Sequence, residues 1–379
     1  MTARRGTEDV VLTGAAALSA FGRGMTALAA GLDAGRPAFG PVERFDVSGR
    51  RVGVAAATPG APVLAAELAD LLDEACDEAK LSTAQRAAAP LFLATHGDPE
   101  LARVPVADRL RHGSTAFAVA LAVAAGLGGA VRAYTTACVA ASTAIADAAA
   151  LVARGEVDRI VVAGAYLVEP DQFALFDAGR ALAVDGQVRP FSAGRRGLLL
   201  GDGGGAFVVE SAAAARERGA PVLARLAGWG RAGDAYHPCQ PHPEGRGMAR
   251  AIAAALERAG VAPEAVGYVN AHGSGTPQSD TAEAAALYAV FGGHAAEVPV
   301  SSTKALHGQA LEASGVLELA VTVHALSTGR LPVNAGYTGP DDGCRLNLVL
   351  EPRTGDPGYA LTLNAAFGGA NTALLVGAA

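Results

Sequence analysis

An α/β fold with packed sheets is expected for this chain, on three observations. Short apolar runs alternate with longer Ala-rich amphipathic segments along the 379 residues. Glycines stand where helical runs stop, at Gly155 and Gly260. Hydrophobic residues make up 51% of the chain and charged ones 18%, a composition that buries a large core rather than one that stays disordered. At this length one large unit or two fused units are expected.

The first strand is expected at residues 10–14, where Val10-Val-Leu-Thr-Gly14 follows Glu8 and Asp9. Arg4 and Arg5 imitate the start of a secretion signal, but the two acids interrupt the approach to the apolar run. A helix is expected over 62–80 and a strand over 91–95. The longest uncharged stretch, 116–131, is shorter than the ~20 apolar residues a spanning helix needs, so it reads as a buried core helix. A helix over 139–154 and strands over 159–163 and 205–210 complete a first half. The charged, Ala-rich stretch 210–221 reads as the junction, dividing residues 1–215 from 216–379. The second half is expected to run as strand 222–227, helix 247–259, strand 267–270, helix 281–290, strand 298–301 and helix 311–327, closing with strands 346–350, 360–363 and 372–376. No strong internal repeat is visible, so any structural duplication must be degenerate.

Charge and cysteine usage narrow the function. The net charge of -7, with no basic block, argues against nucleic acid as the main partner. Cys76, Cys138, Cys239 and Cys344 are scattered without a CxxC pair, which fits free thiols in a reducing cytoplasm. Gly201-Asp-Gly-Gly-Gly-Ala206 loosely matches a dinucleotide fingerprint but precedes a strand instead of opening a helix. His237-Pro-Cys239-Gln-Pro-His242 is weak evidence for a metal, and none is expected. No Gly-x-Ser-x-Gly elbow of a serine hydrolase is present.

Two segments carry chemistry. Tyr134-Thr-Thr-Ala-Cys138 puts a thiol where a helix begins, beside unsatisfied N–H groups and the positive end of the helix dipole. That environment is expected to lower the thiol pKa and favour a nucleophilic thiolate; a buried structural cysteine is the plain alternative. Asn270-Ala-His272-Gly-Ser-Gly-Thr-Pro277 puts an imidazole on a Gly-rich turn, where it could donate a hydrogen bond to a thioester carbonyl oxygen. Asp280 and Glu283 follow, either orienting that loop or simply capping the next helix. Lys304 follows an apolar strand end and Glu318 lies on the next helix, where a buried pair would hold the cysteine-facing loop in place, against a solvated lysine as the plain reading.

Together with Phe45-Asp46, Arg189-Pro-Phe191, Asp234-Ala-Tyr-His237, Ser302-Thr-Lys304 and Phe367-Gly-Gly-Ala-Asn371, these segments resemble the β-ketoacyl-acyl-carrier-protein synthases of the elongating type, in the thiolase-fold superfamily. The resemblance covers nearly the whole chain. It implies two duplicated mixed-sheet halves in five α/β/α/β/α layers, and a homodimer or a heterodimer with a related subunit. Cys138 then matches the nucleophile that takes an acyl group from acyl carrier protein, and His272 the first active-site histidine. Lys304 and Glu318 match supporting residues. Ser274 and Thr276 match hydroxyls that hold the phosphopantetheine arm, with Ser in place of the usual Thr. Phe367 matches a gating phenylalanine, and the N–H groups of Cys138 and Phe367 an oxyanion hole. No cofactor is implied beyond the arm carried by the substrate protein, and no membrane.

Departures from the pattern bear on the second half of the reaction. Five positions after Lys304, where the family carries a second histidine, stands Gln309, which can donate a hydrogen bond but cannot carry a proton. His307 is a nearby substitute. The segment between His96 and Gly113 is shorter than its counterparts, which line the acyl pocket and dimer interface. Ala365 and Ala366 loosen the gate, and Arg196 replaces an acidic residue. Three functions are compatible with this. The first is a condensing enzyme joining the Cys138-bound acyl group to a malonyl-derived unit in polyketide or fatty-acid biosynthesis. The second is a non-decarboxylating acyltransferase to an amine, alcohol or thiol. The third is a non-catalytic partner subunit like a chain-length factor, although such subunits lack the cysteine.

Overall fold

The structure, a computed structural model, describes residues 8–96, 104–106, 108 and 112–379. Ten principal strands lie among the described residues. The first half carries β1 (Val10–Ser19), β2 (Leu91–Ala94), β3 (Val131–Tyr134), β4 (Arg159–Tyr166) and β5 (Gly203–Ser211). The second carries β6 (Ala224–Gly233), β7 (Val266–Asn270), β8 (Pro299–Ser301), β9 (Tyr359–Ala366) and β10 (Ala370–Gly377). Strand order is 3-2-4-5-1 in the first half and 8-7-9-10-6 in the second, the same permutation twice. The sense of pairing repeats too. β2 runs parallel to β3 and β4, and β7 to β8 and β9. The remaining pairs in each half are antiparallel. The halves meet where β1 pairs with β6 over Val11–Arg225 and Leu12–Ala224.

Helices α1 (Leu64–Glu78) and α2 (Ser114–Ala124) cover the outer face of the first sheet. Helices α4 (Arg246–Ala259) and α5 (Pro277–Phe291) lie on the outer side of the second. Between the sheets run α3 (Ala140–Ala153) and α6 (Ser314–Thr328), each touching both sheets and one another. Five α/β/α/β/α layers result, as the resemblance implied. A helix between two sheets must be apolar all round, which is why α3 is mostly small buried residues and α6 is buried without a break from Ser314 to Ala325. Strands β1, β2, β4 and β5 are buried on both faces as well. Along β4, Ile160 and Val162 face the central layer while Val161 and Ala163 face the outer one, so the strand reads as an unbroken apolar run.

Sequence reasoning found nine of these ten strands but missed β3. The uncharged stretch 116–131 is not one helix: α2 ends at Ala124, Gly126 turns with φ 68°, and Gly128-Gly129 backs directly onto Ala87–Pro90. The following Val-Arg-Ala-Tyr is an edge strand with an exposed arginine, which hides its period. Near 346–350 only Asn347–Leu348 pair, at the edge beyond β8. Short helices at Met25–Ala34, Thr83–Ala88 and Pro170–Ala178 were not anticipated, and a short helix, Ala212–Glu217, bridges β5 to β6. Most of the His96–Gly113 segment (97–103, 107 and 109–111), with Arg4 and Arg5, lies outside the described residues. No helix among the described residues is long and apolar enough to cross a membrane.

The two central helices meet at close quarters. A Cβ built on Gly315 of α6 would lie 2.4 Å from the Ser142 nitrogen and 2.9 Å from the Ser142 Cβ of α3, so only hydrogen fits there. Ser142 Oγ in turn bonds Thr372 Oγ1 of β10 at 2.7 Å. Gly315→Val is expected to push the helices apart and cost about 1–3 kcal/mol of stability in urea unfolding. A change within about 0.5 kcal/mol, the range of an ordinary surface substitution, would show that the helices do not meet this closely.

Candidate active site

The duplication brings two turns together. Between β3 and α3, the turn Ala137–Val139 carries Cys138; ahead of α6, the turn Leu311–Ala313 carries Glu312. Each is a single tight turn entered through a left-handed residue, Ala137 with φ 48° and Leu311 with φ 41°. A left-handed non-glycine residue is strained by roughly 1–2 kcal/mol, so both halves store strain at the same place. The two turns pack against one another, and the Cys138 turn packs on β9.

Cys138 is only 7% exposed. Burial pushes its thiol up to about 11, against the downward pull of the Gln309 side chain and of the Lys304 charge. This corrects the expectation of a lowered pKa. A helix start does favour the anion, but loss of water around the sulfur outweighs it, and the resting group is the thiol. Gln309 is held by its main chain, donating to Leu199 O at 2.8 Å and accepting from Gly201 N at 3.0 Å. Its Oε1 faces Ser314 Oγ at 3.4 Å, which leaves the amide N–H groups for the sulfur.

His272 is buried on the loop after β7. Its Nδ1 accepts from the Ala365 N–H of β9 at 3.2 Å, so the ring proton resides on Nε2 and that nitrogen is a donor. Burial holds the imidazole well below its ordinary value, with the Lys304 charge acting the same way, so it is neutral. Glu283, reaching up from α5, accepts from His272 N at 2.6 Å and Gly273 N at 2.7 Å. Asp280 accepts from Gly275 N at 3.1 Å and Phe191 N at 2.8 Å. Both acids therefore hold the loop rather than merely capping a helix. Burial raises them to about 8 and about 6.

Lys304 and Glu318 form a fully buried ion pair, and Asn364 of β9 bonds the second Glu318 oxygen at 2.5 Å. Burial pushes Glu318 up against the pull of Lys304. Ser274 is buried and bonds the half-buried Thr276 hydroxyl at 2.9 Å. Phe367 lies at the β9–β10 turn, 53% exposed, its ring 6.0 Å from that of Phe176. His307 does not stand in for a second histidine. Its Nδ1 faces Gly308 O and its Nε2 faces Thr303 Oγ1, both at 2.9 Å, so the ring is occupied within its own turn.

Asn364, His96 and Glu312 escaped sequence reasoning. A carboxylate in the first turn of the expected 311–327 helix was the available signal for Glu312. The His237–His242 segment caps its own turns: His237 Nδ1 accepts from Cys239 N and Gln240 N at 3.1 Å.

Comparison with known proteins identifies the family. The family description "Beta-ketoacyl synthase, N-terminal domain" matches residues 82–215, and "Beta-ketoacyl synthase, C-terminal domain" matches 223–338. The 3-oxoacyl-[acyl-carrier-protein] synthase 2 of Staphylococcus aureus is 36% identical over 249 residues, 64% of this chain and 62% of that protein. The chain thus spans about three-fifths of the curated relative it matches. A structure titled "The ishigamide ketosynthase/chain length factor" superposes with TM-score 0.90 at 29% identity, over 99% of this chain and 100% of that one. A β-ketoacyl synthase from Burkholderia phymatum superposes with TM-score 0.89 at 28% identity, over 98% and 100%. With both halves matched in tandem and the layered fold shared end to end, this chain belongs to the β-ketoacyl synthase family.

Proposed function

We propose that the chain is a ketosynthase-like condensing enzyme that takes an acyl group from acyl carrier protein onto Cys138 and joins it to a malonyl-derived unit. The observation that carries this reading is the polarity of the groups around the sulfur. A neutral imidazole with its proton on Nε2 and an amide turned nitrogen-first toward Cys138 are both donors. Donors fixed in a dry site stabilise oxygen that gains negative charge as a thioester is attacked. A thiolate then serves as both nucleophile and leaving group, which splits Claisen condensation into two easier steps.

In this reading the main-chain N–H groups of Cys138 and Phe367 hold the oxyanion, and His272 and Gln309 hold the extender carbonyl. Lys304 and Glu318 fix the loop that carries Gln309. Ser274 and Thr276 receive the phosphopantetheine arm, and the exposed Phe367 is the gate. Acyl carrier protein is the partner this chemistry requires, acting in the cytoplasm. A homodimer or a heterodimer with a related subunit is supported by the ketosynthase/chain length factor likeness.

Gln309 favours a second reading. Lacking a titratable proton, it supports carbonyl binding without assisting decarboxylation, so the acyl group could pass to an amine, alcohol or thiol instead. Mass spectrometry of the protein with acyl- and malonyl-carrier protein separates the readings. Acyl mass on Cys138, absent in Cys138→Ala, with carbon dioxide and a ketone product is expected. Acylation without carbon dioxide would favour the acyltransferase, and output unchanged in Cys138→Ala would favour a non-catalytic partner subunit.

Gln309→His is expected to speed carbon dioxide release from malonyl-carrier protein, on the order of a hundredfold, with Cys138 loading little changed. Release that stays at the Gln309 rate would show that the amide is not what limits the second step.

A further inference from the structure

If Cys138 rests as a thiol, something must take its proton when the sulfur attacks, and most of the groups around it are unable to. His272 already carries its proton on Nε2 and spends Nδ1 on Ala365 N–H. Gln309 has no proton affinity of use. Lys304 is a cation bonded to Glu318, whose oxygens are taken by Lys304 and Asn364. Among the described residues one carboxylate near the thiol remains. Glu312 is 2% exposed, on the turn packed against the Cys138 turn, and its charge acts on that thiol through space, without a hydrogen bond to it. Its Oε1 accepts from His96 N at 3.2 Å. Among the described residues its Oε2 takes no hydrogen bond, and it lies 3.2 Å from His96 Nε2. The His96 side chain is 39% exposed, so the pair links the turn packed against the Cys138 turn to solvent.

We propose that Glu312, backed by His96, accepts the Cys138 proton as the sulfur attacks the incoming thioester and returns it to the departing thiolate. One carbon–sulfur bond forms at Cys138 as the carrier's carbon–sulfur bond breaks, and the proton moves from the first sulfur through the carboxylate to the second. No other reactant is needed. The step rests on the acyl-transfer reading above.

The groups facing Glu312 from its packed elements are accounted for. Cys138 comes from the opposing turn, His96 from the end of β2, and Tyr166 and Glu169 from the end of β4. Asp202, just before β5, is tied to Arg44. Asp147 of α3 pairs with Arg231, and Glu318 of α6 with Lys304. Burial raises Glu312 to about 8, with the Glu169 charge acting the same way. A base with that value is the ionised form above it, so loading speeds up as pH rises through about 8.

The test is single-turnover loading of Cys138 from a hexanoyl N-acetylcysteamine thioester, followed by intact mass from about pH 6 to 9. Alkylation by iodoacetamide, which reports the thiolate, is measured in parallel. Glu312→Gln is expected to load roughly a hundredfold more slowly and to lose the inflection, with Glu312→Asp restoring part of both. Its alkylation should be equal or faster, because a negative charge beside the sulfur has gone. Equal slowing of loading and alkylation, or wild-type loading with the inflection intact, would overturn the proposal. Wild-type protein that never loads would overturn the acyl-transfer reading and this step with it.

Discussion

The contact of Gly315 with Ser142 is the constraint on which the site depends. It lets two helices share one layer between two sheets, so their opening turns meet and Cys138 comes to stand among Gln309, Glu312 and Lys304. The same closeness removes water. Burial then acts in one direction on each group, raising the thiol and the acids and lowering the imidazole. Each of these shifts favours the neutral form. The outcome is a resting site poised for thioester chemistry without a standing thiolate–imidazolium pair.

The duplicated topology explains where the site can be. Each half delivers a strained turn and a helix N-terminus to the middle layer, one bearing sulfur and the other a carboxylate. The C-terminal half adds the Gly-rich loop with His272, braced from below by Glu283 and Asp280. Buried carboxylates accepting main-chain N–H groups are costly to bury but expensive to remove, since each would leave donors unsatisfied by about 1–3 kcal/mol. The loop is therefore rigid where the chemistry needs it to be.

Much of this was legible in the residues. Unbroken apolar runs marked β1, β4 and β5, and Ala-rich stretches marked the central helix. Cys138, His272, Lys304 and Glu318 stood out by type and neighbours. Three features were not legible. Edge strand β3 carries Arg132 and a Gly-Gly approach that masks its period. The direction of the Cys138 shift depends on how much water the second sheet excludes, which no local pattern encodes. The Glu312–His96 pair joins residues 216 positions apart, and only the fold brings them together.

Burial, not the helix start, governs the nucleophile. Titrating the thiolate absorbance near 240 nm, as the difference between the wild type and Cys138→Ala, measures this. A midpoint well above the ordinary cysteine value of about 8.5, toward about 11, is expected. A midpoint below the ordinary value, with thiolate already present at neutral pH, would contradict it.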